Sequence, residues 1–193
     1  MKDASQYPVT YPYGATTAPY SPNNPHRGED RKCPKGTPVI VNGVQIGLVG
    51  TTGLSTGPHL HVQKNIGSKN YPPNGQGFQF NNAKVIKTAT DKWNGNHVVL
   101  EADGFQWYYL HLDKITCSVG QVLPSPQRWV RVVVPKLFVR SAPNTSAPLA
   151  GTRILTYGMV VRTTGTVTGQ NVNGNDQWHK SVHGNYFWSG GVK

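Results

Sequence analysis

The chain has 193 residues, enough to bury the core of one large domain or of two small ones. With 22 Gly, 15 Pro and 9 Tyr, and no stretch that carries a 3.6-residue apolar period, the composition excludes a helical bundle and favours many short β-strands. The 19 Lys+Arg against 8 Asp+Glu give a formal net charge of +11, which draws the surface to polyanions, but the basic residues form no dense run or basic helix, which argues against sequence-specific reading of nucleic acid.

The opening MKDASQYPVTYPYGATTAPY has no apolar core of signal-peptide length, and no later run is long enough to span a membrane. A protein made soluble in the cytoplasm is predicted, one that reaches any extracellular target without a cleaved signal. Gln6 to Pro25, rich in Pro, Tyr, Ser, Thr and Asn, reads as an extended, turn-rich entry to a first domain. Then GTPVIVNGVQIGLVG alternates apolar residues about Asn42-Gly43, the strongest short-range hairpin signal, because a type I′ turn needs positive φ at both central positions. STGPHLHVQ follows as a further strand. Ile66 to Asn82 reads as a long polar loop of the kind that rims a groove. NHVVLEADGFQWYYLHL predicts a second hairpin around Asp103-Gly104, with Phe105, Trp107, Tyr109 and His111 alternating onto one face. Val122 to Trp129, with two prolines and no periodicity, is the predicted linker. Several short strands complete the chain. Cys33 and Cys117 are too few for a disulfide scaffold and too far apart for a zinc knuckle, so one bridge or two free thiols remain open.

Two clusters carry chemistry. In STGPHLHV, His59 and His61 are two apart, so on a strand both rings share a face. Alone, the pair fits a half-buried strand with two solvent-facing imidazoles. Upstream, HRGED places His26 and Asp30 four apart with Gly28 between them, and the glycine lets the chain bend so that imidazole and carboxylate converge on one ion.

HxGxD together with TGLSTGPHLH resembles the lysostaphin-like zinc endopeptidases, which cut peptide bonds in bacterial peptidoglycan. The resemblance implies Zn²⁺ held by His26, Asp30 and His61, with His59 and the His111 of YYLHL as the catalytic histidines. Three protein ligands would leave a fourth position for water, the mark of a catalytic zinc. Either His59 or His111 can fill the base role, and the sequence does not divide the labour between them. The motif order departs from the family's: here the GNHVVLEADGFQWYYLHL hairpin follows TGLSTGPHLH instead of preceding it, so the domain reads as permuted. Antiparallel sheets tolerate such rewiring because a hairpin is a self-contained unit.

The remaining candidates read more plainly. His97 is expected at the surface, His179 and His183 beside Trp178 and Trp188 at ordinary barrel positions, with the lining of a wall-binding groove as the alternative, and Asp91, Asp103 and Asp113 in turns or at strand ends. Tyr20, six residues before His26, is a candidate for steadying an oxyanion. LFVRSAPNTSAPLAG and the closing GNYFWSGG resemble the bacterial SH3-like wall-targeting module, which implies tethering to peptidoglycan. The expectation is therefore an all-β protein: an antiparallel β-sheet peptidase domain over 1–124 and a small SH3-like β-barrel over 129–193. Its predicted role is a zinc-dependent endopeptidase acting on bacterial peptidoglycan, a phage endolysin released by a holin or a virion-associated lysin, with no specific nucleic-acid partner. The rival is a non-catalytic wall-binding protein that keeps the zinc-peptidase fold.

Overall fold

A computed structural model describes residues 2–125 and 128–193, with side chains at all of these except 152 and 153. The chain divides into two units, Met1–Pro124 and Ser125–Lys193, each formed by one antiparallel sheet. No helix among the described residues is long and apolar enough to cross a membrane.

The first sheet has ten strands: β1 (Val9–Tyr11), β2 (Glu29–Arg31), β3 (Pro38–Val41), β4 (Val44–Val49), β5 (Leu60–Ile66), β6 (Lys69–Tyr71), β7 (Ala83–Asp91), β8 (Gly95–Ala102), β9 (Phe105–Ile115) and β10 (Val122–Leu123). They run in the order β1-β2-β5-β9-β8-β7-β10, with β4 also pairing β9 and β3, and β6 pairing β5. Asn42 and Gly43 turn β3 into β4 at φ of 51° and 78°, and Asp103 and Gly104 turn β8 into β9 at 48° and 82°, the positive values that a tight hairpin requires. Leu60 and Val62 of β5, Val98 and Leu100 of β8, and Trp107, Tyr109 and Leu112 of β9 bury a common core with Ile46, Phe78 and Phe80. Each such side chain contributes roughly 1.5–3 kcal/mol by leaving water.

Strand β2 is buried along its whole length and uses both faces. The Glu29 carboxylate accepts hydrogen bonds from the Gly75 N–H (3.0 and 3.1 Å). The Arg31 guanidinium donates to the carbonyls of Ser5, Tyr7 and Gly75. Asp30, between them, faces the other way, toward His61.

Several expectations need correction. The stretch from Ile66 to Asn82 is not one polar loop: Gly67 turns β5 into β6, and Phe78 and Phe80 then anchor the segment in the core, with Asn42 bonded through its amide to both the N–H and the C=O of Phe80. Val122 and Leu123, placed in the linker, instead form an edge strand against β7, and Arg128 and Trp129 already belong to the next sheet. Pro126 and Gln127 lie outside the described residues. His97 is buried, 2% exposed, because β8 is an interior strand and the small Ala89 opposite leaves room for the ring, whose Nδ1 lies 3.0 Å from the Gly95 carbonyl. Phe105, Trp107 and Tyr109 do alternate together, but His111 leaves the series. Asn96 pairs with Leu112 and Val98 with Tyr109, so two steps of β8 face three of β9. This bulge returns Leu112 to the core and turns His111, at φ 62°, away from it.

The second sheet contains β11 (Arg128–Arg131), β12 (Lys136–Arg140), β13 (Leu149–Thr156), β14 (Val160–Val172), β15 (Asn175–Ser181) and β16 (Tyr186–Trp188), in the order β11-β14-β15-β16-β12-β13. Val130, Val132, Leu137, Val139, Leu155 and Phe187 form its core. The expected SH3-like barrel does not form, because the sheet is open, with β11 and β13 as unjoined ends. Closure would need the outer edge of β11, and the C-terminal residues occupy it: Arg131 and Lys193 exchange N–H···O bonds of 2.8 and 2.9 Å, and Val132 bridges Val192.

Candidate metal centre

Asp30 of β2 lies directly opposite His61 of β5 in the antiparallel register, which puts their side chains on one face at cross-strand distance. His26 precedes β2 by three residues and is held by its backbone, accepting from the Gly14 N–H and donating to the Ala15 carbonyl. The three ligand atoms converge. His61 Nδ1 lies 2.9 Å and His26 Nε2 3.2 Å from Asp30 Oδ1, and the two imidazole nitrogens are 3.0 Å apart. All three residues are buried.

The donor set fits a zinc ion. Bonds of 2.0–2.1 Å in a tetrahedron put ligand atoms about 3.3 Å apart, within a few tenths of an ångström of the spacings here. His26 Nδ1 lies 3.0 Å from the Pro12 carbonyl, a contact that would keep a ring proton on Nδ1 and free Nε2 for an ion when one binds. Burial alone would raise Asp30, but hydrogen bonds to His26 and His61 hold its carboxyl well below the usual carboxylate range. It is therefore anionic, as a ligand must be.

Gly28 has a different role from the one its motif position implied. Its φ is not in the left-handed region, and what matters is the missing side chain: a Cβ there would stand 2.6 Å from His61 Nε2 and closer still to the Val62 carbonyl oxygen. The glycine lets the chain before β2 pass against the His61 ring.

His59 and His111 stand beside the cluster. Leu60 between His59 and His61 is in the core, so the two histidines project from the opposite face, as the alternation predicts. His59 Nδ1 is 2.9 Å from the Gly57 carbonyl and its Nε2 is 3.8 Å from Asp30 Oδ1. His111 arrives through the β9 bulge, its backbone N–H donating to the Asn94 carbonyl and its Nδ1 lying 2.9 Å from the Thr52 carbonyl. The ring centroids of His59 and His111 are 4.8 Å apart, and those of His61 and His111 6.2 Å. Each ring thus has its Nδ1 against a backbone carbonyl, which favours the tautomer with the proton on Nδ1 and the lone pair on Nε2. Burial, assisted by the neighbouring His59 and His61, pushes His111 down to about 4, so it is neutral at physiological pH.

Tyr20 serves the ligands directly. Its hydroxyl donates to Asp30 Oδ2 (2.8 Å), and its ring stacks on His26 at 4.2 Å and 24°. Burial and the Asp30 charge raise its pKa, which keeps it a donor. Its nearness to His26 is readable in the sequence, but its bond to Asp30 depends on the path of residues 12–26. The carbonyls of Pro12, Thr52 and Gly57 have no side-chain signal that could have revealed them.

The other candidates lie outside this cluster. Asp91 and Asp103 accept backbone N–H bonds in turns, and Asp113 pairs with Lys35 at 2.9 Å. His179 stacks on Phe187, His183 is exposed, and Cys33 and Cys117 are free thiols. The buried His26/Asp30/His61 cluster is geometrically compatible with a metal-binding site. Compared with protein families, with curated proteins and with solved structures, the chain matches none.

Proposed function

We propose that the protein is a zinc-dependent endopeptidase of lysostaphin-like type that cleaves peptide bonds in bacterial peptidoglycan. The observation that carries this reading is the pairing of a three-ligand cluster with two imidazoles beside it, His59 and His111, each held at Nδ1 against a backbone carbonyl. A structural zinc site uses four protein ligands and has no need of bases beside it. His26 Nε2, Asp30 Oδ1 and His61 Nδ1 would hold a zinc ion, which when bound would supply Lewis acidity for a scissile carbonyl and lower the pKa of water toward ~7.

The chain's own groups do the rest. His59, the more exposed of the two bases, accepts the proton of the attacking water at Nε2 and returns it to the leaving amine. His111, neutral and held at Nδ1 by the Thr52 carbonyl, accepts a hydrogen bond at Nε2 from the attacking water and so orients it. The motif order along the chain does not obstruct this, since β9 pairs β5 whichever comes first in sequence.

The test measures zinc by elemental analysis alongside the loss of turbidity of purified cell walls. One zinc per chain and chelator-sensitive wall cleavage are expected. His61→Ala should lose metal and activity together. His111→Asn, which suits a positive φ, should keep fold and zinc but lose about 10²–10⁴-fold in rate. Cleavage that survives complete chelation would overturn the assignment.

A further inference from the structure

The second unit carries eight Lys and Arg against a single carboxylate side chain, Asp176. Two of the arginines share a face with one exposed aromatic ring, and Arg128 borders it from the neighbouring position of the strand. Trp129 on β11 is 67% exposed, flanked along the strand by Arg128 and Arg131 and faced across the register by Arg162, whose guanidinium lies 5.6 Å over its ring. Beside it opens a groove of 420 Å³ with an aliphatic wall of Ile154, Met159 and Val160 and a polar side of Ser181, His183 and Asn185. Among the described residues no carboxylate lines it.

We infer that this surface binds a phosphodiester-linked polyol chain bearing sugars, the anionic polymer class of bacterial walls. The arginines match phosphate oxygens, which guanidinium groups bind with two parallel N–H donors. Trp129 and the aliphatic wall suit the C–H face of a sugar ring, and Ser181, His183 and Asn185 offer partners for its hydroxyls. A single-stranded nucleic acid carries the same phosphates but is held by a row of aromatic platforms for successive bases, and of the Trp, Tyr and Phe rings among the described residues lining this groove only Trp129 is exposed, Phe187 being buried. The choice of a wall polymer rests on the proposed wall substrate, whereas the phosphate-and-sugar chemistry rests on the groove itself.

The test titrates the full-length, zinc-loaded protein with soluble glycosylated poly(ribitol phosphate) and follows tryptophan fluorescence between 50 and 200 mM salt. This polymer has no peptide bond in its backbone, so the result is independent of whether the metal centre is a peptidase. Saturable binding is expected, its log affinity falling with log salt by about 0.7 per phosphate engaged. Arg131→Gln with Arg162→Gln should weaken binding at least about tenfold and flatten the slope by about 1.4. Trp129→Ala should weaken it with the slope unchanged. Lys84→Gln with Lys87→Gln removes the same formal charge from exposed positions of β7 and should leave binding as it is. Equal loss in this control pair, absence of saturable binding, or tighter binding to a thymidine oligomer would each overturn the proposal.

Discussion

Gly28→Ala tests whether the approach of β2 to the His61 ring sets the metal site. The added Cβ would lie 2.6 Å from His61 Nε2 and 2.9 Å from its Cε1, against an ordinary contact of about 3.5 Å. Something must give by about 0.9 Å. The Val62 carbonyl on the other side belongs to β5, and Val62 pairs with Glu29, so the backbone can retreat only by opening the β2–β5 ladder that holds Asp30 opposite His61. Moving the ring relieves its own contact but not the still closer approach to the Val62 oxygen, so ring and ladder both give, and a shift near 0.9 Å exceeds the roughly 0.5 Å within which a ligand set stays productive. Overpacking of this kind costs about 1–3 kcal/mol of stability. Zinc affinity should fall by at least the 10–100-fold typical of a disturbed ligand support. Competition for zinc with a chromophoric chelator reads the affinity, and thermal unfolding of the chelated protein reads the stability. Gly57→Ala is the matched control, because a Cβ there meets nothing within 4 Å. A folded Gly28→Ala variant that binds zinc within twofold of wild type would refute the reasoning.

Tyr20→Phe keeps the stack on His26 and deletes the hydrogen bond to Asp30, so zinc affinity should drop about 10–100-fold and the visible spectrum of the cobalt-substituted protein should change as Asp30 Oδ2 is released; an unaltered spectrum and affinity would exclude a role in orienting the carboxylate. In the zinc-free protein the unfolded chain takes up a proton on His111 near 6.5 while the folded one resists until about 4, so stability falls as pH is lowered through that window, by about 3 kcal/mol at its lower end. His111→Asn should lack this component, and parallel stability curves for variant and wild type would contradict it. Asn42→Ala removes two buried hydrogen bonds to Phe80 and a residue tolerant of φ 51°, and should cost about 2–3 kcal/mol in denaturant unfolding; a loss under 1 kcal/mol would mean that Phe78 and Phe80 hold the segment unaided.

What could be read from the sequence is what local chemistry decides. Asn-Gly and Asp-Gly name their own hairpins because so few residues tolerate two positive φ values in succession, and Leu60 between two histidines fixes which face each takes. The alternation from Phe105 onward misleads at His111 because a bulge is a property of two paired strands, and nothing within YYLHL marks the extra residue. His97 hides for a related reason: whether β8 is an edge or an interior strand depends on β7 and β9, not on its own residues. Pro, Gly and Asn around Phe78 and Phe80 read as loop, yet two aromatic anchors suffice to pull such a segment into the core. The second sheet stays open because the last residues of the chain pair with β11, a contact between segments some sixty residues apart. The candidate ligands were legible because HxGxD and HxH tie residue identity to spacing, while their backbone-carbonyl partners leave no mark in a sequence.

The three residues of β2 hold together parts of the first unit that have no other reason to move together. Asp30 faces His26 and His61, the other candidate ligands, while its neighbours Glu29 and Arg31 grip Gly75 on one side and the backbone of Ser5 and Tyr7 on the other. A cut, deletion or fusion that loosens the segment around residues 5–7 therefore strips acceptors from a buried guanidinium one residue from a metal ligand. Damage at the periphery would be felt at the centre as a weaker hold on the ion, long before the core itself gives way.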